Sequence, residues 1–408
     1  MNRLVIKAIE LFDGKEKSEE KYIIIEDNKI VEITSNEMEY DYSGYVTPAF
    51  IDAHSHIGMF RDGEPGVQQE GNDYLDQILP TYDPLNSIYF DDRAFSDAID
   101  FGCLYSCVVP GSGNLMGGRA MIIRNFAENR KTALVKDYGY KMALGYNPRG
   151  TTSWKGHRPN TRMGIYDHLE KTFDEVIQAK AKEDLKKEKA IHELNVKFAD
   201  NKITESEYEV QKEFINREYE LSFNEKQKAI IELLEQKKIA KIHVHKEDDV
   251  LYLIKFVNKY GIKCTADHTG DVHHIEIFEE LAKNNIPIIY GPIGGIAEKT
   301  ELAHAYYQNA GLLYKSNATF GLMTDHPVVW APHLRESLKY FMIHGMSQTE
   351  AINLITRKNA ELLGIDDILG TIEPNKIASL VVWDKNPFDL AAYPNAIIAE
   401  GNVIREKK

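Results

Sequence analysis

The sequence predicts an α/β chain: a (β/α)8 TIM-like barrel, a small β-sandwich formed by the N- and C-terminal segments, and a charged helical hairpin inserted into the barrel. Three observations predict it. Strand-like runs open and close the chain, short apolar runs alternate with helical stretches between them, and one segment rich in Lys and Glu interrupts that alternation.

The opening stretch reads as antiparallel strands at 3–11, 21–26 and 29–34, turned at Asp13-Gly14 and Asp27-Asn28, because alternating runs bounded by such pairs mark hairpins. Near the other end, 378–384 and 396–405 have the same character, with Glu400-Gly401-Asn402 as a turn. Neither end can bury a face alone, so residues 1–47 and 370–408 are expected to pair into one β-sandwich domain. Between them, in 48–369, apolar runs at 49–56, 103–110, 140–144, 240–245, 263–267, 286–290 and 318–324 give way to helical stretches. Alternating β and α elements imply a parallel sheet with both faces covered. The segment 171–236 is different in kind, nearly free of Gly and Pro, and without it the span has close to the ~250 residues of a (β/α)8 barrel. Inside it, Asp200-Asn201-Lys202 marks a bend, Thr204-x-x-Glu207 a capping box, and Leu194, Phe198, Tyr208, Ile215 and Tyr219 a thin apolar stripe. We read a solvated hairpin on the barrel rim, with a dimer contact or a lid as alternatives.

Of 408 residues, 43% are hydrophobic, enough for a large core. A balance of 49 basic against 63 acidic residues, −14, argues against nucleic acid as a partner. No run approaches the roughly 18 apolar residues of a membrane span, and charges break the opening residues too early for a secretory signal. The expectation is a soluble, cytoplasmic protein with a small-molecule substrate and no membrane partner, self-association into a homo-oligomer being left open. Cys103, Cys107 and Cys264 are odd in number and form no CxxC, so metal chemistry must come from other residues.

Those residues lie at strand ends. His54 and His56 stand two apart, so a strand projects both to one face in a metal-ligand geometry. Asp52 lies on the same face one step deeper, where it could accept a ring N–H and fix a ligand tautomer. His243 and His245 end a second strand, His268 a third and Asp325 a fourth, and in a barrel all such ends converge on one face. Imidazole with carboxylate suits zinc, iron, nickel or manganese alike.

These residues sit within longer stretches: PAFIDAHSHIG around His54, VVPGSGNLMGG from Val108, KMALGYNPRG from Lys141, PNTRMG from Pro159, HVHKEDDV from His243, DHTGD from Asp267, TDHP from Thr324 and the tail GTIEPNKIASLVVWDKNPFD. The chain resembles the amidohydrolase superfamily, within the group of imidazolonepropionase-like and prolidase-like metal-dependent hydrolases. The resemblance implies that His54, His56, His243, His268 and Asp325 are metal ligands, His245 competing with His243, and that Asp325 is also the catalytic proton shuttle. It implies a divalent cofactor, zinc first with iron or manganese as alternatives, one or two per chain, and water attack on an amide, cyclic amide or peptide-like C–N bond.

One departure bears on the metal count. Where relatives carry a bridging Glu in a GENP motif, this chain reads Gly145-Tyr146-Asn147-Pro148, and a phenol with an ordinary pKa near 10 is a poor bridge. Lys141 could bridge as a carbamate, the site could hold one ion, or Tyr146 could donate to a substrate carbonyl; the sequence favours one firmly held ion. The basic run Arg149, Lys155, His157, Arg158 and Arg162 suggests an anionic substrate, with Arg149 suited to a carboxylate, or else a loop clamped to acidic neighbours. Asn114 and its Gly-rich loop could also touch substrate, as could His245. Rival readings are a catalytically silent scaffold, a metal-dependent lyase or isomerase, and a deaminase.

Overall fold

The computed structural model describes residues 3–150, 158–295, 297 and 299–407. In chain order its strands are β1 (Arg3–Phe12), β2 (Lys17–Glu26), β3 (Lys29–Thr34), β4 (Tyr42–Pro48), β5 (Phe50–Ser55), β6 (Cys103–Val108), β7 (Met116–Arg124) and β8 (Leu134–Ala143). They continue as β9 (Ile239–Val244), β10 (Cys264–His268), β11 (Ile288–Tyr290), β12 (Phe320–Leu322), β13 (Leu380–Trp383), β14 (Pro394–Ala399) and β15 (Asn402–Glu406).

The two ends of the sequence meet in one seven-stranded sheet, ordered β15-β14-β13-β4-β1-β2-β3. The join is the antiparallel pairing of β4 with β13, Leu380 opposite Pro48 and Val382 opposite Val46. Period-two alternation decides what each face of the sheet buries. Leu380 and Val382 pack with Ile6, Ile23 and Val46 in a core of their own, whereas Val381 and Trp383 point the other way, into the main core.

The central strands form a second sheet, ordered β12-β11-β10-β9-β8-β7-β6-β5, whose edges nearly close on one another. The Asn359 amide donates to Ile51 O of β5 at 2.6 Å and to Leu322 O of β12 at 2.8 Å, and Asp325 N donates to His54 O at 3.1 Å. Gly321 makes that approach possible: a Cβ there would stand 2.0 Å from Asn359 Oδ1. The sheet departs from an all-parallel one at β7, which runs antiparallel to both β6 and β8. The cause is the connection, since the short loop from Val109 to Leu115 carries no helix and a parallel return needs a crossover of a dozen or more residues.

The charged insertion forms a helical hairpin, its arms Arg162–Ala199 and Glu205–Leu221. The bend falls at Asp200 and Asn201, and Thr204 with Glu207 closes the reciprocal cap. Its base belongs to the main core, where Ile165, Leu169, Phe173 and Val176 are buried; a separate helix, Glu225–Leu234, adds Ala229, Ile230 and Leu233. Towards the tip the arms are held by thinner contacts: the Phe198 and Tyr208 rings 4.9 Å apart, and the Lys186–Glu218 ion pair. No helix among the described residues is long and apolar enough to cross a membrane.

Candidate metal centre

The C-terminal ends of β5, β9 and β10 and the turn after β12 bring six ligand-type side chains into two adjacent groups. His54, His56 and Asp325 form one; His243, His245 and His268 form the other; within each group one ligand atom per residue lies within 4.8 Å of the rest. The groups adjoin, with the His54 and His268 rings 5.0 Å apart.

In the first group Asp325 Oδ1 stands 3.0 Å from His56 Nε2 and 3.5 Å from His54 Nε2. The other nitrogen of each ring is tied down, His56 Nδ1–H donating to Val109 O at 2.7 Å and His54 Nδ1–H to Asp267 Oδ2 at 2.6 Å. This fixes the tautomer that leaves each Nε2 lone pair towards Asp325. Asp267 therefore plays the part expected of Asp52. The Asp52 carboxylate turns instead to the backbone N–H (3.1 Å) and hydroxyl of Thr324, tying β5 to the turn after β12. Parity failed because the chain leaves the extended region at His268 and Thr269, with φ of 82° and 51°, so neighbours Asp267 and His268 both reach the interior.

In the second group His268 Nδ1–H donates to Gly291 O at 3.1 Å, and among the described residues its Nε2 has no partner; Nδ1 of His243 and Nδ1 of His245 are likewise buried and unpartnered there. The His243 and His245 rings lie 4.1 and 4.6 Å from that of His268, so both histidines join the cluster. Burial holds the rings of His243 and His268 well below the usual histidine range and those of His54 and His245 down to about 3. They are neutral imidazoles with lone pairs to give. Orphaned buried nitrogens are costly in an apolar interior, and a divalent cation is the group this donor set fits.

Lys141 on β8 is fully buried and donates to His54 Nε2 at 2.9 Å. Burial lowers its pKa to about 8, against the opposing pull of Asp267 and Asp325. A second buried lysine, Lys241, pairs with Asp267 Oδ2 at 3.0 Å, so one carboxylate orients His54 and neutralises a lysine. Burial pushes Asp267 up, but Lys241 and His54 outweigh it and hold the carboxyl below its ordinary range.

A cavity of about 300 Å³ opens over the groups, lined at its base by His56, His243, His245 and Asp325 and on its walls by Phe60, Asn147, Tyr290 and Lys299 among others. Three residues expected at substrate are placed elsewhere. Asn114 donates to the carbonyls of Asp73 and Asp76 at 2.8 Å each, so its amide pins that loop. Tyr146 donates its backbone N–H to Glu301 Oε2 at 2.6 Å and lies beneath the Arg149 guanidinium; neither Tyr146 nor Arg149 lines the cavity. In the basic run, Arg162 pairs with Asp248 at 3.0 Å and Arg158 donates to Arg149 O, while Lys155 and His157 lie outside the described residues. Sequence reasoning missed Glu301, 2% exposed and 3.9 Å from His243 Nε2, and Asn147, whose amide lies 3.4 Å from the same nitrogen and donates to Ser112 Oγ at 2.6 Å. Glu301 carries no local motif; Asn147 sits inside the Lys141 motif, beside the residue that drew attention.

The amidohydrolase family pattern matches residues 113–405. A curated relative, amidohydrolase tasK of Hapsidospora irregularis, is 25% identical over 396 residues, 92% of this chain; the chain spans 38% of that protein's length. Among solved structures, an amidohydrolase from Thermotoga maritima MSB8 superposes with a TM-score of 0.85 at 25% identity, covering 99% of this chain and 100% of its own. A Xaa-Pro dipeptidase with methionine bound in its active site shares the fold at a TM-score of 0.58 and 15% identity, each chain covered completely. The matched span takes in more than half of the sequence and includes His243, His268 and Asp325, and this chain therefore belongs to the amidohydrolase family.

Proposed function

We propose that the chain is a metal-dependent hydrolase that cleaves an amide, cyclic amide or peptide-like C–N bond in a small, carboxylate-bearing substrate. The observation that carries this reading is the pair of adjoining ligand groups under one cavity, with unpartnered nitrogens on His243, His245 and His268. His54, His56 and Asp325 would hold one ion, and His243 with His268 a second, His245 being the alternative to His243. Lys141 stands beside His54, and its lowered pKa supplies the neutral amine that carboxylation to a bridging group requires. When bound, a divalent ion acidifies a water and polarises the scissile carbonyl.

The remaining chemistry belongs to this chain's own side chains. Asp325, 9% exposed and at the cavity base, takes the proton of the attacking water and returns it to the leaving nitrogen, acting as base and then acid. His56 Nε2 faces the same carboxylate at 3.0 Å and would share an ion with it. Lys299 on the cavity wall supplies a cation for a substrate carboxylate, in place of the expected Arg149. Phe60 and Tyr290 give the wall an apolar surface that limits water around the reacting bond.

The test is hydrolysis of a panel of N-acyl amino acids and dipeptides by zinc-loaded protein in oxygen-18 water. We expect one solvent oxygen in the new carboxylate. Product formed without solvent oxygen would assign the centre to lyase or isomerase chemistry and refute this reading.

A further inference from the structure

Behind the cavity wall lies another cluster, on the loop after β10 and the segment facing it. Asp271 is 1% exposed; its Oδ1 accepts the His304 backbone N–H at 2.5 Å, while its Oδ2 has no hydrogen-bond partner among the described residues and stands 3.6 Å from His304 Nδ1. His273 Nδ1–H donates to Asp271 O at 2.7 Å, which leaves the Nε2 lone pair free. The His273 and His304 rings stack at 4.2 Å, and one ligand atom from each of Asp271, His273 and His304 lies within 4.8 Å of the others.

We propose that Asp271, His273 and His304 form a peripheral site for a divalent transition-metal ion, separate from the centre under the cavity. Two imidazoles and one carboxylate are a sufficient protein set for zinc, with water completing the shell, and the His304 side chain is 46% exposed, so an ion can enter from solvent. The buried, unsatisfied Oδ2 distinguishes this cluster from its neighbour Glu247, His273 and His274. There the carboxylate already accepts the backbone N–H groups of His273 and His274 at 2.9 Å each and lies 3.0 Å from the His274 ring, so it has no unmet demand for a cation.

The position gives the ion a task. Gly270 lies beside Asp271, and Ala305 and Tyr306 follow His304; all three line the cavity. Asn309 already draws the two segments together, donating to Gly270 O at 3.2 Å and His304 O at 2.7 Å. An ion shared by Asp271, His273 and His304 fastens the same two segments from the solvent side and so sets the position of the Tyr306 wall.

The test is a Zn2+ titration of chelator-treated full-length protein by isothermal calorimetry, comparing the wild type with His304→Ala, His273→Gln and the double variant His54→Ala/His243→Ala. His304→Ala and His273→Gln should each bind one ion fewer per chain than wild type, and His54→Ala/His243→Ala should retain a site that adding His304→Ala removes. Melting temperatures equal to wild type in EDTA identify variants that fold, and only these are scored. Equal stoichiometry in wild type and both peripheral variants would overturn the proposal, as would no binding by folded His54→Ala/His243→Ala. None of these readouts depends on catalysis, so the site stands or falls independently of the hydrolase reading.

Discussion

Asp267→Asn separates two roles that the structure loads onto one carboxylate. Asp267 is fully buried, with Oδ2 2.6 Å from His54 Nδ1 and 3.0 Å from the Nζ of Lys241, itself fully buried. Removing the negative charge leaves the Lys241 ammonium without its counter-charge, a loss of about 3–5 kcal/mol for a broken buried pair. It also weakens the acceptor that orients His54, and loss of such a partner costs about 10–100-fold in metal affinity. The two losses come apart in the double variant Asp267→Asn/Lys241→Met. That change removes the stranded charge and restores most of the stability, yet does nothing for His54. Denaturant unfolding in EDTA reads the first effect and Zn2+ titration the second. Equal unfolding midpoints for wild type and Asp267→Asn would refute the charge argument; full zinc affinity in either variant would refute the orienting role.

Further outcomes follow from the same structure. Asp325→Asn should lower kcat by roughly 10²–10⁴, the range of a lost general base, while circular dichroism stays that of the wild type; an active variant would remove the proton shuttle. Gly321→Ala forces a Cβ to 2.0 Å from Asn359 Oδ1, so it should cost about 1–3 kcal/mol and lower the melting temperature, whereas the neighbouring Phe320→Leu introduces no such clash. Glu373, in the segment before β13, is bonded to Lys15 of the β1–β2 turn and to Thr371 and Lys376. Burial opposes its ionisation, but these partners prevail and hold its pKa down to about 2. A depressed carboxylate contributes stability above its unfolded pKa and loses it as pH falls towards the folded one. Glu373→Gln should therefore melt below wild type at pH 7, the gap closing as pH falls from about 5 to 2; a constant gap would refute the assignment.

What could be read from the sequence was what local periodicity controls. The spacing of His54 and His56 and the recurrence of His243, His268 and Asp325 after apolar runs put these side chains at strand ends, and the structure gathers them into two adjoining groups, because a strand's parity and a barrel's geometry leave few places for them to go. The joining of the two chain ends was legible for the same reason, since neither alternating segment could bury its face alone. Tertiary approach was not legible. β7 was hidden because Gly117 and Gly118 read as loop, and its direction is decided by the missing helix before it. Asp267 took the role expected of Asp52 through two positive-φ residues that no spacing rule foresees. Glu301 reaches His243 from the segment after β11, and Lys299 stands at the cavity where Arg149 was expected; both placements arise from how a distant loop folds back.

Whether the two buried ligand groups hold metal ions is read by anomalous diffraction at the zinc absorption edge from crystals of zinc-loaded protein. We expect one peak among His54, His56 and Asp325 and another beside His243 and His268, both lost in His54→Ala/His243→Ala. Crystals of zinc-loaded protein with no anomalous peak at either group would contradict that expectation.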